Sequence, residues 1–237
     1  MKKKVKKRLN KKRTLVFLLF IYIIGFSIYC FISKPIKHIE IKGNNIVKDS
    51  EILRVSNLKD YPSFFKYPNY KLEKKIKNIE LINDVKVKKW FGLKIIIEVK
   101  ENKILFYYKD KNKIVLSNGN IIDNKYNDIV GIPILINNID KDILKKFINN
   151  FSELNDNILY EMNNIEYYPQ VDNNGEVLTN DRFKIIMNDS NTIIVNSKSV
   201  STLNKYNDIY ASLNGKFGTI NLDSNKLENL VFIPYEG

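Results

Sequence analysis

One cysteine, one histidine and one tryptophan stand in this chain of 237 residues. The cysteine, Cys30, lies inside a long apolar run, so the chain beyond that run forms no disulfide within itself and depends on packed core. A thiolate in so apolar a setting is unfavourable, which removes Cys30 as a nucleophile. His38, a few residues past the run on a charged strand face, reads as a solvated or headgroup-facing side chain rather than a general base. The sequence contains no G-x-x-x-x-G-K-[ST], no G-x-S-x-G and no ligand spacing for zinc. Asp123 with Asp128, and Asp140 with Asp142, have the composition of a glycosidase pair but fit loop and helix-cap chemistry better. The expectation is a protein that is not an enzyme and has no metal, no cofactor and no small-molecule substrate.

What the sequence does have is concentrated at its start. Nine lysines and arginines fall within residues 1–13, without an acid among them, and residues 14–32 are then uncharged and apolar. A helix over those 19 residues would be roughly 28 Å long, close to the roughly 30 Å of a bilayer's hydrocarbon core. The basic residues nearest the run, Lys11, Lys12 and Arg13, set its topology: the arm is cytoplasmic and everything after residue 32 lies outside the cytoplasm. A cleaved signal peptide has the same outline, but the run exceeds the usual signal core, no small-residue cleavage site follows it, and Tyr29 precedes Cys30 where lipoprotein processing needs a small residue. Gly25 and Ser27 are small enough to admit a neighbouring helix, and equally suit neutral positions.

The net charge of +13 comes mostly from this arm, leaving a net of only +4 from Thr14 onward. Attraction to anionic lipid, about 1 kcal/mol per basic residue near the surface, accounts for the arm without a nucleic-acid partner.

After the run the apolar spacing predicts a strand at Ile36–Ile41, a turn at Gly43-Asn44-Asn45, and a helix capped by Asp49 or Ser50 and carrying Ile52, Leu53 and Val55. A second helix follows from Tyr70 to about Ile79. Two strands then alternate through Val85–Trp90 and Leu93–Val99, reversed at Phe91-Gly92, with Trp90 and Phe91 expected to pack into the core or a domain interface. From about residue 103 the pattern is richer in strands. There is a meander through Ile104–Tyr108, Ile114–Leu116 and Ile121–Ile122, and a short strand around Pro133. A helix capped by Asp140 follows, then a strand at Ile165–Tyr168 and a hairpin of Phe183–Met187 with Thr192–Val195. A helix over Val200–Leu213 and a last strand at Thr219–Leu222 close the pattern; residues 223–237 show no firm period and read as a tail, within which Leu230 to Tyr235 are apolar enough to dock on something.

Several segments carry a resemblance: Ile39-Glu40-Ile41-Lys42-Gly43-Asn44, Val85 to Trp90, Ile95 to Glu101 with its Val-x-Glu close, Asn118-Gly119-Asn120-Ile121-Ile122, Gly131 to Leu135, Leu203 to Tyr206 and Gly218 to Leu222. In this order, after an N-terminal span, they resemble the FtsQ/DivIB family of bacterial cell-division proteins. The resemblance implies an α+β fold: a cytoplasmic arm (1–13), a single transmembrane helix (14–32), a POTRA domain of β-α-α-β-β order (33–102), a mixed β domain with flanking helices (103–223) and a C-terminal tail (224–237). The sequence departs from the family in having Phe91-Gly92 where Pro often follows the Trp, and Asn221 where many members have Asp.

The resemblance also implies a scaffold at the division septum, single-pass in the cell membrane. It would bind FtsB/DivIC and FtsL-like division proteins and help regulate septal peptidoglycan synthesis. A strand at a sheet edge offers a physical route, because a partner strand can add to its free backbone groups. The candidate partner-binding residues are Phe217, Gly218, Thr219, Ile220, Asn221 and Leu222, taken as that edge, with Phe232 and Tyr235 nearby; the competing reading makes the same strand internal. A second class of function, a membrane-anchored cell-wall enzyme or a transport component docking through a POTRA-like domain, lacks a catalytic constellation in the first case and repeated POTRA units or a barrel in the second.

Overall fold

The computed structural model describes residues 10–126, 129–223 and 230–236. It divides into two compact units, residues 1–101 and 102–237.

The first unit opens on α1 (Lys11–Ile32), the one helix among the described residues that is long and apolar enough to cross a membrane. It begins three residues before the uncharged run, so Lys11, Lys12 and Arg13 form its first turn, and the Asn10 side chain caps it by accepting from the Lys12 amide. Basic residues at a helix start oppose the helix dipole, and their long stems suit a turn at a membrane surface. Most of the arm, residues 1–9, lies outside the described residues.

Next come β1 (His38–Lys42), α2 (Asp49–Ser56), α3 (Asn69–Ile76), β2 (Ile82–Trp90) and β3 (Lys94–Glu101), in the β-α-α-β-β order expected of a POTRA domain. β3 is central, parallel to β1 and antiparallel to β2. Its alternation buries Ile95, Ile97 and Val99, and the two helices bury Ile52, Leu72 and Ile76. The loop after β1 closes on the far end of β3. Gly43 has φ +84, and a Cβ there would lie 2.1 Å from the Val99 carbonyl oxygen, so only glycine fits. One turn on, the Glu101 carboxylate accepts from the amides of Asn45, Ile46 and Val47 at 2.8–3.1 Å. Gly43 and the Glu of the Val-x-Glu close are thus two halves of one corner. α2 starts at Asp49 itself, preceded by Lys48 without a side-chain cap, a correction to the expected Asp49 or Ser50 cap. The Asp49 carboxylate instead accepts from Asn44 Nδ2 at 2.7 Å.

The second unit is built on a nine-stranded mixed sheet, comprising β4 (Ile104–Tyr108), β5 (Lys113–Leu116), β6 (Ile121–Asp123), β7 (Ile134–Leu135), β8 (Met162–Tyr167), β11 (Phe183–Met187), β12 (Thr192–Val195), β13 (Gly218–Asn221) and β14 (Val231–Pro234). Their order across the sheet is 14-13-12-11-8-7-4-5-6. Asp140 caps α4 (Lys141–Phe151) as expected, its carboxylate accepting from the Asp142 amide at 2.8 Å. α4 lays Leu144, Phe147, Ile148 and Phe151 on the sheet, with the Phe147 ring stacked 3.9 Å from that of Phe183. Each such aromatic removes enough apolar surface from water to stabilise the fold by roughly 1.5–3 kcal/mol. Val200–Lys205 is a 3-10 turn leading into a short α6 (Tyr206–Ser212), where one longer helix was expected. The structure adds α5 (Asp156–Tyr160) and a separate hairpin of β9 (Gln170–Val171) with β10 (Val177–Thr179), for which the sequence pattern gave no element.

Candidate functional site

The end of the sheet formed by β12, β13 and β14 is assembled from three kinds of contact. β13 runs parallel to β12, pairing Thr219 with Thr192 and Ile220 with Ile193. β14 then adds antiparallel to β13, pairing Gly218 with Pro234, Thr219 with Ile233, Ile220 with Phe232 and Asn221 with Val231. Ile220 is fully buried, and Phe232 packs on the same core. The alternation of a strand sends Val231 and Ile233 to the other face, where they are 54% and 59% exposed.

Gly218 sets how closely β14 approaches. A Cβ at this position would meet the Ile233 carbonyl oxygen at 2.2 Å and Phe232 Cε2 at 2.7 Å. Its φ is not in the left-handed region, so the requirement is for space alone. The start of β13 is fixed from the other side by a buried polar network. Asn191 Oδ1 accepts from the Gly218 amide at 2.9 Å, Asn191 Nδ2 donates to the Tyr206 hydroxyl at 3.1 Å, and that hydroxyl donates to Asp189 Oδ2. Burial and the neighbouring Asp189 carboxylate both push the Tyr206 hydroxyl well above the ordinary phenol range, keeping it a donor. At the strand's exit, Asn221 Oδ1 accepts from the Asp223 amide at 2.9 Å, and Asp223 pairs with Arg182 at 2.8 Å. Beyond β14, the Tyr235 amide donates to the Phe217 carbonyl at 3.0 Å and its hydroxyl bonds to Thr192 Oγ1 at 2.7 Å.

This arrangement corrects one expectation. The strand carrying Phe217, Gly218, Thr219, Ile220, Asn221 and Leu222 is second in the sheet, paired on both sides, and the edge is β14. Ile220, Leu222 and Gly218 are buried, Thr219 and Asn221 half-buried, and only Phe217 is exposed. The stretch expected to be a tail contains the edge strand, whose run Val231-Phe232-Ile233 hides its alternation because both faces are apolar. Phe232 and Tyr235 belong to this edge, together with Val231 and Ile233 of the same apolar tail segment. The remainder of the stretch, residues 224–229 and 237, lies outside the described residues.

The other candidates separate clearly. Asp123 forms an ion pair with Lys113 at 3.4 Å, Asp140 caps α4, and Asp128 lies outside the described residues. Glu40 is clamped by Lys42 at 2.8 Å and Lys94 at 2.6 Å, hydrogen bonds that lower its carboxyl to about 2. Trp90 and Phe91, expected to pack, are instead 61% and 94% exposed. The reversal at their strand end, with Gly92 at φ +78 and Leu93 at φ +63, carries them out at a hairpin tip.

Comparison with known proteins points the same way as the architecture. The family described as the POTRA domain, FtsQ-type, matches residues 34–102. The cell division protein DivIB of Bacillus subtilis (strain 168) is 26% identical over 231 residues, covering 93% of this chain and 85% of that protein. The cell division protein DivIB of Geobacillus kaustophilus (strain HTA426) is 25% identical over 243 residues, covering 98% and 89%. A solved structure of the major extracytoplasmic domain of DivIB from Geobacillus stearothermophilus aligns at a TM-score of 0.38 and 22% identity, over 48% of this chain and 96% of that one, a likeness too low to add weight. With an FtsQ-type POTRA domain over residues 34–102 behind an apolar helix, the chain is similar along nearly its whole length to bacterial cell division proteins named DivIB.

Proposed function

We propose that this protein is a non-catalytic scaffold of the division machinery, anchored by α1 with its basic arm in the cytoplasm and its two folded units outside. It recruits DivIC- and FtsL-like single-span proteins at the septum by taking a strand from a partner onto β14, and so helps regulate septal peptidoglycan synthesis. The observation that carries this reading is β14 itself, an edge strand with no neighbour on its far side among the described residues, bearing exposed Val231 and Ile233 on a firmly held sheet. Main-chain hydrogen bonds would supply affinity and the alternate side chains selectivity. Soluble proteins normally blunt such an edge, and Pro234 at the end of β14 limits pairing to a short register.

The test uses the full chain in membranes. Ile233→Lys changes an exposed side chain and leaves the core intact, and it should abolish co-purification of the coiled-coil division partners while the melting temperature stays within a degree or two of the parent. Undiminished recovery with the variant would refute strand addition at this edge. Normal septa after depletion of the protein would refute the division role.

A further inference from the structure

The exit of α1 is bound directly to the aromatic tip of the first unit. Ser63 Oγ donates to the carbonyl of Ile32, the last helical residue, and Phe64 N donates to the Lys34 carbonyl at 2.9 Å. Three residues on, Lys37 N donates to the carbonyl of Leu93, in the β2–β3 turn, at 2.9 Å. The rings of Phe31, in the last turn of α1, and Phe65 lie 5.5 Å apart. The helix end, the Ser63–Lys66 loop and the hairpin tip thus meet within a few residues of where α1 leaves the bilayer, around an apolar groove of about 610 Å³.

Two features of this surface are unusual for one that faces water. Phe91, Trp90 and Phe65 are 94%, 61% and 43% exposed, at a turn where soluble hairpins favour polar residues. The cations around them are arranged with the rings: Lys34 Nζ sits 5.5 Å from the centre of the Phe31 ring, and Lys89 Nζ, 5.0 Å from that of Phe64, donates to the carbonyls of Phe64 and Tyr67. Lys34 and Lys37 are exposed and, among the described residues, are in no ion pair. Exposed aromatics ringed by lysines match the headgroup level of a bilayer, where amphipathic rings partition and cations meet lipid phosphates.

We propose that the tip of the β2–β3 hairpin and the loop around Phe65 form an interfacial membrane anchor. Trp90, Phe91 and Phe65 insert among the lipids of the outer leaflet, and Lys34 and Lys37 hold the phosphates of anionic headgroups. This rests on α1 spanning the membrane. It gives the first unit a second attachment and, together with α1, fixes its tilt against the bilayer.

Trp90 is the only tryptophan in the chain, so its fluorescence reports on this tip alone. The full chain is reconstituted into vesicles of phosphatidylcholine, with or without phosphatidylglycerol, carrying lipids with a quencher at headgroup depth. The expected result is a blue-shifted Trp90 emission that the lipid-borne quencher largely removes and aqueous iodide leaves nearly unchanged, with stronger quenching when phosphatidylglycerol is present. The double variant Lys34→Gln/Lys37→Gln should lose the phosphatidylglycerol increment. Emission quenched by iodide and indifferent to the lipid quencher, from protein that resists alkaline carbonate extraction, would overturn the anchor while leaving the span intact. Release by carbonate would overturn both. A double variant that keeps the phosphatidylglycerol increment would overturn the headgroup contact.

Discussion

Two exposed apolar surfaces, one in each unit, differ in what they offer. The hairpin tip of the first unit presents rings: Trp90, Phe91 and Phe65 project beside Lys34 and Lys37, at the end of β2, a strand whose own edge carries alternating charges rather than an apolar run. The edge of the second unit presents backbone, a strand paired on one side only, with Val231 and Ile233 as modest side chains above it. Rings with cations suit a surface that has headgroups but no fixed register, whereas an edge strand suits another chain whose register matters. Exposed hydrophobicity alone would not tell these apart. Each unit also holds a glycine with no room for a side chain at a backbone approach, Gly43 in the corner that closes the first unit and Gly218 under β14.

That parallel is open to breakage, and the largest effect is expected at Gly43. Gly43→Ala adds a clash with the Val99 carbonyl to a left-handed backbone, together costing about 3 kcal/mol, to be read by denaturant unfolding of the first unit. Gly218→Ala meets only β14, which can move away, so about 1–2 kcal/mol is expected, with hydrogen exchange accelerating in β14 but not in β12. Equal losses at both glycines would show that β14 belongs to the rigid core.

The Tyr206 network should matter at alkaline pH. The folded protein holds this hydroxyl protonated above the ordinary phenol value of 10.0, while the unfolded chain ionises there. The stability it contributes is therefore full below pH 10 and lost as the pH rises beyond it, about 1.4 kcal/mol by one pH unit above. Tyr206→Phe should remove this slope, and an unchanged slope would show that the network does not hold β13. Smaller still is Glu101→Gln, which keeps one acceptor for the Asn45–Val47 amides but not the charge, for an expected loss of about 1 kcal/mol in thermal unfolding.

Where period and punctuation agreed, the fold was legible. Alternation through Ile95, Ile97 and Val99, the turn at Gly43, the spacing from Ile143 to Phe151 after Asp140, and the Phe183–Val195 hairpin all became the elements they suggested. The edge strand was not, because an apolar side chain on both faces erases the period of two and leaves Val231–Pro234 looking like a sticky tail. The β9–β10 hairpin had a signal that went unread, Asn174-Gly175 between Val171 and Val177, with Gly175 at φ +85. Trp90 and Phe91 failed for a different reason. Residue type favours burial, but their position at a hairpin tip decided their exposure.

The most direct test of the account is photocrosslinking in dividing cells from single positions along the exposed edge. Probes at Val231 and Ile233 should capture a single-span division partner, while probes at Val177 and Leu178, equally apolar and exposed on β10, should capture none. Capture from the β10 positions with silence at β14 would contradict strand addition at this edge.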